Sequence, residues 1–265
     1  MLKAKGLAYR AGGNFLVSGI DLSIEAGEVV AVLGPNGAGE STLLKLLCGQ
    51  FRPTTGMVSF GGKSLGKWPA RELARCRSVL LQQSMAPFEF SALEIVLLGR
   101  SPHGDAARCT DMALEAMKWT ECQHLARRTV NTLSGGELQR VHLARVLVQI
   151  GLHATDTIRC LMLDEPISSL DPAHQHAALC TAREIASQGA AVFIILHDLN
   201  LAAQYADCVV LMKAGRIVAM GTPAEVLRAD LIGDVFGVRA RVVENPVCGA
   251  PAVFLESAGS ARNNP

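Results

Sequence analysis

What this chain has little of narrows it first. Aromatic residues make up only 5% of its 265 residues although hydrophobic ones reach 49%. The apolar content is therefore mostly Ala, Val, Leu and Ile, the composition of an α/β protein with aliphatic layers. No sign of charge dominates, since 25 Lys and Arg face 24 Asp and Glu for a formal net charge of +1. That removes the broad positive field a non-specific nucleic-acid binder needs, and no local basic patch replaces it. The longest clean apolar run, residues 190–196, falls far short of the roughly 20 residues that cross a bilayer, so a soluble or peripheral protein is expected. Residues 1–6 lead into alternating sequence rather than an apolar segment with a small-residue cleavage site, which points to a cytoplasmic location. The eight cysteines form no C-x-x-C pair, and small buried hydrophobes in a reducing compartment are expected in place of a disulfide framework or a zinc site. The seven histidines show no ligand spacing; His174 and His176 stand two apart on a candidate helix and so face different ways. No repeat of about 20 to 50 residues is present, which excludes solenoids and propellers.

Short strands fill the first sixty residues: 2–9, 14–17, 20–24, the buried 28–33, and 57–60, with a helix over 41–47. After a strand at 79–81 the pattern turns helical, over 92–98, 106–118, 123–127 and 135–149. Strands and helices then alternate: strand 160–163, helix 173–187, strand 190–196, helix 199–205, strand 208–212. Such alternation calls for a mainly parallel sheet covered by helices. Thr222-Pro223-Ala224-Glu225 opens a further helix, with Thr as N-cap, Pro at N1 and Glu at N3. The small, polar tail over 257–265 is expected to fray.

The buried strand 28–33 runs into Gly34-Pro35-Asn36-Gly37-Ala38-Gly39-Glu40-Ser41-Thr42 and then a helix. Phosphate-binding loops have this context: glycines turn backbone N–H groups inward and the helix N-terminus adds partial positive charge. The loop matches G-x-x-x-x-G-K-[ST] except that Glu40 stands where the pattern has lysine. Downstream, the apolar strand 160–163 ends in Asp164-Glu165, two carboxylates at the edge of a parallel sheet where ligands bind. One suits Mg²⁺ and the second can orient an attacking water; the bland alternative is a helix-start signal. Between them, Leu133-Ser134-Gly135-Gly136-Glu137 precedes a helix and builds a second anion-binding end.

In this order these residues resemble the nucleotide-binding subunit of ATP-binding cassette (ABC) transporters, over about residues 1–236. The resemblance implies an α/β fold, a P-loop NTPase core with a mainly parallel sheet, an N-terminal antiparallel β part and a helical subdomain. It places the ATP-binding core at 1–83 and 159–265 and the helical subdomain at 84–158. It implies ATP hydrolysis with ATP and Mg²⁺, Tyr9 stacking on adenine, and Gly34 to Thr42 holding the phosphates. Ser41, Gln82 and Asp164 would ligate Mg²⁺, with Gln82 also sensing the γ-phosphate. Glu165 would be the catalytic base, His197 the switch histidine and Asp171 the D-loop aspartate, while Ser134, Gly135, Gly136 and Glu137 would cap the ATP of an opposite protomer. The implied partners are a second copy, two integral-membrane permease subunits and, indirectly, a periplasmic substrate-binding protein, at the cytoplasmic face of the inner membrane. Taken singly, Tyr9 is equally a core residue, and Gln82 and His197 ordinary hydrogen-bonded residues.

Glu40 departs from the family. Two unit charges ~4 Å apart interact by ~4 kcal/mol at an effective dielectric of ~20, so exchanging attraction for repulsion impairs nucleotide binding or hydrolysis. A homodimer takes both loops from the same chain, so no intact partner site rescues it. Three readings follow: an inactive allele or engineered variant, a natural pseudo-ATPase, or compensation by Lys45 or nearby arginines. Retention of Glu165 and His197 favours the first.

A single cassette resembles bacterial importer subunits. Residues 84–90 place Phe88 and Phe90 where the family docks a permease helix, a core role being the alternative. The run Gly99-Arg100-Ser101-Pro102-His103-Gly104 is similar to importers of iron chelates, cobalamin and haem, and residues 148–159, 244–246 and 251–255 to the haem-importing members of that group. His103 reads as a loop residue rather than a haem ligand. Import of another iron chelate or cobalamin is an alternative, as is a non-transport role, either on ribosomes or DNA or as a nucleotide-free interaction module, although soluble cassettes of that kind usually carry two cassettes or a long coiled insertion.

Overall fold

The computed structural model describes residues 1–81, 89–104, 109–152 and 158–256. In chain order the strands and helices are β1 (Leu2–Ala11), β2 (Asn14–Ile24), β3 (Val29–Leu33), α1 (Glu40–Leu47), β4 (Thr55–Phe60), β5 (Lys63–Ser64), α2 (Ala70–Cys76), β6 (Arg77–Leu80), α3 (Ala92–Leu98), α4 (Cys109–Trp119), α5 (Gly135–Ile150), β7 (Cys160–Asp164), α6 (Pro172–Ser187), β8 (Ala191–Ile195), α7 (Leu199–Tyr205), β9 (Cys208–Lys213), β10 (Arg216–Gly221), α8 (Pro223–Val226), α9 (Ala229–Phe236), β11 (Arg239–Glu244) and β12 (Pro251–Glu256). They fall into two compact units, one of residues 1–2, 24–28 and 59–194, the other of 3–23, 29–58 and 195–265.

In the second unit β3 is apolar and buried at every position, as a strand covered on both faces must be. It pairs in parallel with β9, Val30 opposite Cys208 through Leu33 opposite Leu211, and β10 folds back antiparallel on β9. In a separate sheet β2, β1 and β4 lie in that order. The hairpin of β11 and β12 ends the described chain, with Val242 opposite Val253.

In the first unit β6 and β7 pair in parallel, Arg77 opposite Cys160 through Leu80 opposite Leu163. Helix α5 turns Val141, Leu143, Ala144, Val146, Leu147 and Val148 inward. The loop 126–130 is strapped to the start of α3 by bonds from the Ala92 N–H to Arg128 O and from the Leu93 N–H to Ala126 O. Arg159 is 1% exposed; its guanidinium donates to the carbonyls of Gly151 and Gln188, each at 2.7 Å, the residues that close α5 and α6.

Several sequence expectations change. The strands expected at 14–17 and 20–24 are one strand, β2, because Gly19 at φ 66° bends the strand rather than ending it. The helix expected over 123–127 is a single 3-10 turn, Gln123–Leu125, that buries only Leu125. Helix α2, with only Leu73 buried, β10, α9 and the terminal hairpin were not expected, since α2 and β11 carry too few buried residues to print a pattern. None of the eight cysteines is in a disulfide; Cys48, Cys122 and Cys160 are buried, whereas Cys180 and Cys248 are exposed, against the expectation for all of them. Among the described residues no helix is long and apolar enough to cross a membrane. Gln82, most of the expected docking run 84–90 including Phe88, and the tail 257–265 lie outside the described residues.

Candidate nucleotide site

The Gly34–Thr42 loop lies in the second unit, leaving β3 and entering α1. At Gly34 any side chain would meet the Met212 carbonyl at 2.6 Å and Ala38 Cβ at 2.7 Å, so this turn takes glycine alone. Gly39 caps α1 with φ 103°, a left-handed conformation that other residues adopt at a cost. The loop is closed by the Ala38 N–H to Pro35 O at 2.9 Å and anchored by the Gly215 N–H to Ala38 O at 2.8 Å. Glu40 is the first residue of α1, and the leading N–H groups of a helix have no acceptor inside it. Glu40 is 7% exposed, and its Oε1 lies 3.2 Å from where a Gly34 Cβ would sit. The carboxylate is thus turned back over the loop. A negative group at a helix N-terminus is favoured by the helix dipole, which accounts for tolerance of glutamate here, and the same field is what a phosphate would use.

Tyr9, on β1, stacks on Phe51 with centroids 4.9 Å apart and planes at 15°. Phe51 is held by its N–H to Lys45 O at 2.9 Å, and the strand by Arg10 N–H to Thr54 Oγ1 at 3.0 Å. Phe51 was not singled out in the sequence, although an aromatic shortly after the phosphate-loop helix was visible. In the same unit the Leu196 N–H donates to Val32 O at 3.1 Å, tying the chain before the exposed His197 to the strand that feeds the loop.

The first unit gathers the other candidates. Asp164 ends β7 and is 3% exposed. Glu165 follows at φ 48°, and its carbonyl accepts from Gln139 Nε2 and Ser168 Oγ, both at 3.3 Å. Ser134 caps α5 and forms a reciprocal box with Glu137: Ser134 N–H to Glu137 Oε2 at 2.8 Å, Glu137 N–H to Ser134 Oγ at 3.3 Å. Hydrogen bonds to the carboxylate from the Ser134 backbone N–H and from the Ser134 side chain hold the Glu137 carboxyl below its usual range, with Arg128 adding to the effect. A Cβ at Gly136 would stand 2.9 Å from Ser169 O, so the start of α5 lies against the segment that ends in Asp171. Asp171 caps α6 by accepting from the His174 N–H at 3.0 Å, and its Oδ2 is 2.7 Å from His174 Nδ1. These bonds from His174 lower the Asp171 pKa. Gln139 and His174 were missed as site residues; only their places, shortly after each motif, could have marked them.

A cleft of about 640 Å³ in the first unit is lined by Trp68, Arg75, Cys76, Arg100, His103 and Met112, among others. His103 sits in a turn with Nε2 2.7 Å from Gln149 O, and burial lowers its pKa.

Residues 17–168 match the family described as ABC transporter. Over 96% of its length the chain is 50% identical to the hemin import ATP-binding protein HmuV of Gloeobacter violaceus, covering 94% of that protein. It is 44% identical to the hemin import ATP-binding protein HmuV of Pseudomonas aeruginosa, covering 96% of this chain and 99% of the relative. Among solved structures it is similar to an inward-facing metal-chelate type ABC transporter, with TM-score 0.80, 25% identity and 97% of both chains covered. The dimeric bacterial ABC transporter cassette MJ0796 matches with TM-score 0.74 and 26% identity, over 84% of this chain and 99% of that one.

Proposed function

This chain belongs to the ABC transporter family, and from that premise we propose that it is the ATP-binding subunit of a bacterial hemin importer. It would act as a pair of identical subunits on two integral-membrane permease subunits at the cytoplasmic face of the inner membrane, with a periplasmic binding protein delivering cargo. The observation that carries this reading is near full-length identity of 50% and 44% to two hemin import proteins. The family is one of ATPases, and the α/β fold with parallel strands and a phosphate-loop helix agrees with it.

The site residues then take these roles. Tyr9, backed by Phe51, presents its other face to the base. Residues 34–42 cradle the phosphates. Ser41 and Asp164 supply hard oxygen donors, which fit Mg²⁺; that ion would neutralise charge on the phosphates. Glu165 takes the proton of the attacking water and His197 donates to the γ-phosphate, with Gln82 completing the set. Ser134, Gly135, Gly136 and Glu137 cap the nucleotide of the second copy, with Asp171 at the same junction. The ATP-binding core is residues 1–83 and 159–265, the helical subdomain 84–158. Glu40, turned over the loop, opposes the phosphates and impairs binding or hydrolysis.

Permease docking is supported by the cleft beside Cys76, whose apolar wall of Trp68 and Met112 is edged by Arg75 and Arg100. Such a groove accepts one short amphipathic helix. Reconstituting the chain and its Glu40→Lys version with a hemin permease in vesicles tests the reading. Expected are co-purification, a crosslink from Cys76 to the permease, and ATP-dependent hemin uptake that rises in Glu40→Lys. Uptake of another iron chelate or of cobalamin with no hemin uptake would replace the cargo, and failure to co-purify with any permease would overturn the transport reading.

A further inference from the structure

Helix α7 begins two residues after His197 and spans only Leu199–Tyr205, too short to hold itself in place. Asp198 caps it, its Oδ1 accepting from the N–H groups of Asn200 at 2.8 Å and Leu201 at 2.9 Å. Asn200 then reaches out of the helix to the last strand. Its Nδ2 donates to Val253 O at 3.2 Å and its Oδ1 accepts the Val253 N–H at 2.7 Å. Both backbone groups of Val253 go to this one amide, although Val253 stands opposite Val242 in the hairpin. It is therefore a position where β12 turns its N–H and C=O away from β11. Val253 is 5% exposed, so without Asn200 two buried backbone groups would lose their partners.

We propose that Asn200 is a positioning residue for the switch histidine, fixing His197 by clamping α7 to the C-terminal hairpin. On the N-terminal side the segment is tied to the phosphate-loop strand through the Leu196 N–H and Val32 O. On the C-terminal side the Asn200 clamp is its counterpart, so that His197 is held between two anchors. The hairpin thereby belongs to the nucleotide switch rather than being an appendage. This inference rests on the reading of His197 as the switch residue.

The test uses the full chain for amide exchange and its Glu40→Lys version, with permease, for hydrolysis. In Asn200→Ala, exchange over residues 197–201 should speed up about tenfold while residues 29–33 stay as they are, since losing the clamp frees only the local segment it holds. Hydrolysis should show kcat falling about tenfold with KM for ATP within about twofold, the mark of an interaction that matters in the transition state. Asn200→Asp, which keeps the acceptor and loses the donor, should lie between. In a His197→Ala background, Asn200→Ala should cost nothing further, because the two act as one. Unchanged exchange overturns the proposal, as does an unchanged kcat, or an equal loss of kcat with His197 already absent. Full hydrolysis by His197→Ala would instead overturn the reading of His197, and the exchange arm would still decide whether the clamp holds the segment.

Discussion

Lys45 holds its ammonium over the ring of Phe51, 5.5 Å from the centroid, and Phe51 in turn stacks on Tyr9. The nearest lysine after Glu40 on the same helix is thus engaged with the aromatic pair. That argues against Lys45 standing in for the missing phosphate-loop lysine. Glu40→Lys should tighten ATP binding by at least about tenfold, and Glu40→Gln, which removes repulsion without restoring attraction, by less. Lys45→Ala in the native chain should weaken binding by no more than about threefold, the size of an exposed cation–π contact. Titration with a fluorescent ATP analogue checks all three. Complete loss of binding in Lys45→Ala would restore the compensation reading.

Buried Arg159 joins the C-terminal ends of α5 and α6 through the carbonyls of Gly151 and Gln188. Both ends carry partial negative charge, which suits a guanidinium. Arg159→Leu fills similar space but leaves two carbonyls without their donors. Stability should fall by about 3 kcal/mol, seen as a lower urea midpoint with an unchanged slope. A midpoint equal to the parent's would show that the carbonyls find other donors.

Four carboxylates at helix starts are held below their usual pKa: Glu94 by Ser91, Glu137 by Ser134, Glu225 by Thr222 and Asp171 by His174. Because the folded chain favours the ionised form, the unfolded chain takes up protons first, near pH 4. The stabilisation is full above the unfolded values and is lost as pH falls through them towards the lowered folded ones. Urea midpoints measured from pH 6 down to pH 3 should decline, and the triple change of Glu94, Glu137 and Glu225 to Gln should make that decline slightly shallower, since exposed carboxylates are screened by solvent. A parent and triple variant with parallel curves would remove the caps as its cause.

The strand feeding the Gly34–Thr42 loop and the cap of α5 were legible because each joins a strand or cap signal to a fixed spacing: β3 is wholly apolar, Ser134 and Glu137 stand three apart, and both survive as β3 and the α5 cap. What stayed hidden depends on contacts between residues far apart in sequence. Nothing near Asn200 announces Val253, 53 residues on, and nothing near Gln139 announces the Glu165 carbonyl. The terminal hairpin was missed because its strands alternate weakly, with exposed Val243, Phe254 and Leu255 blurring the period that marks a half-buried strand.

Glu165 sits at φ 48°, a left-handed backbone that costs a non-glycine residue roughly 1–2 kcal/mol. Strain of this kind persists where the surroundings over-determine it, and here its carbonyl is held by Gln139 and Ser168. If the strain serves to place the carboxylate, relieving it and removing the acid can be separated. Glu165→Gly should raise stability by about 1 kcal/mol, whereas Glu165→Gln, with the same backbone demand, should leave it as it is. Both should lose hydrolysis in the Glu40→Lys chain by at least about 100-fold, the size of a lost general base. Urea unfolding and steady-state phosphate release check the pair. A Glu165→Gly chain no more stable than Glu165→Gln would show that the conformation carries no strain, and retained hydrolysis in Glu165→Gln would move the base to another residue.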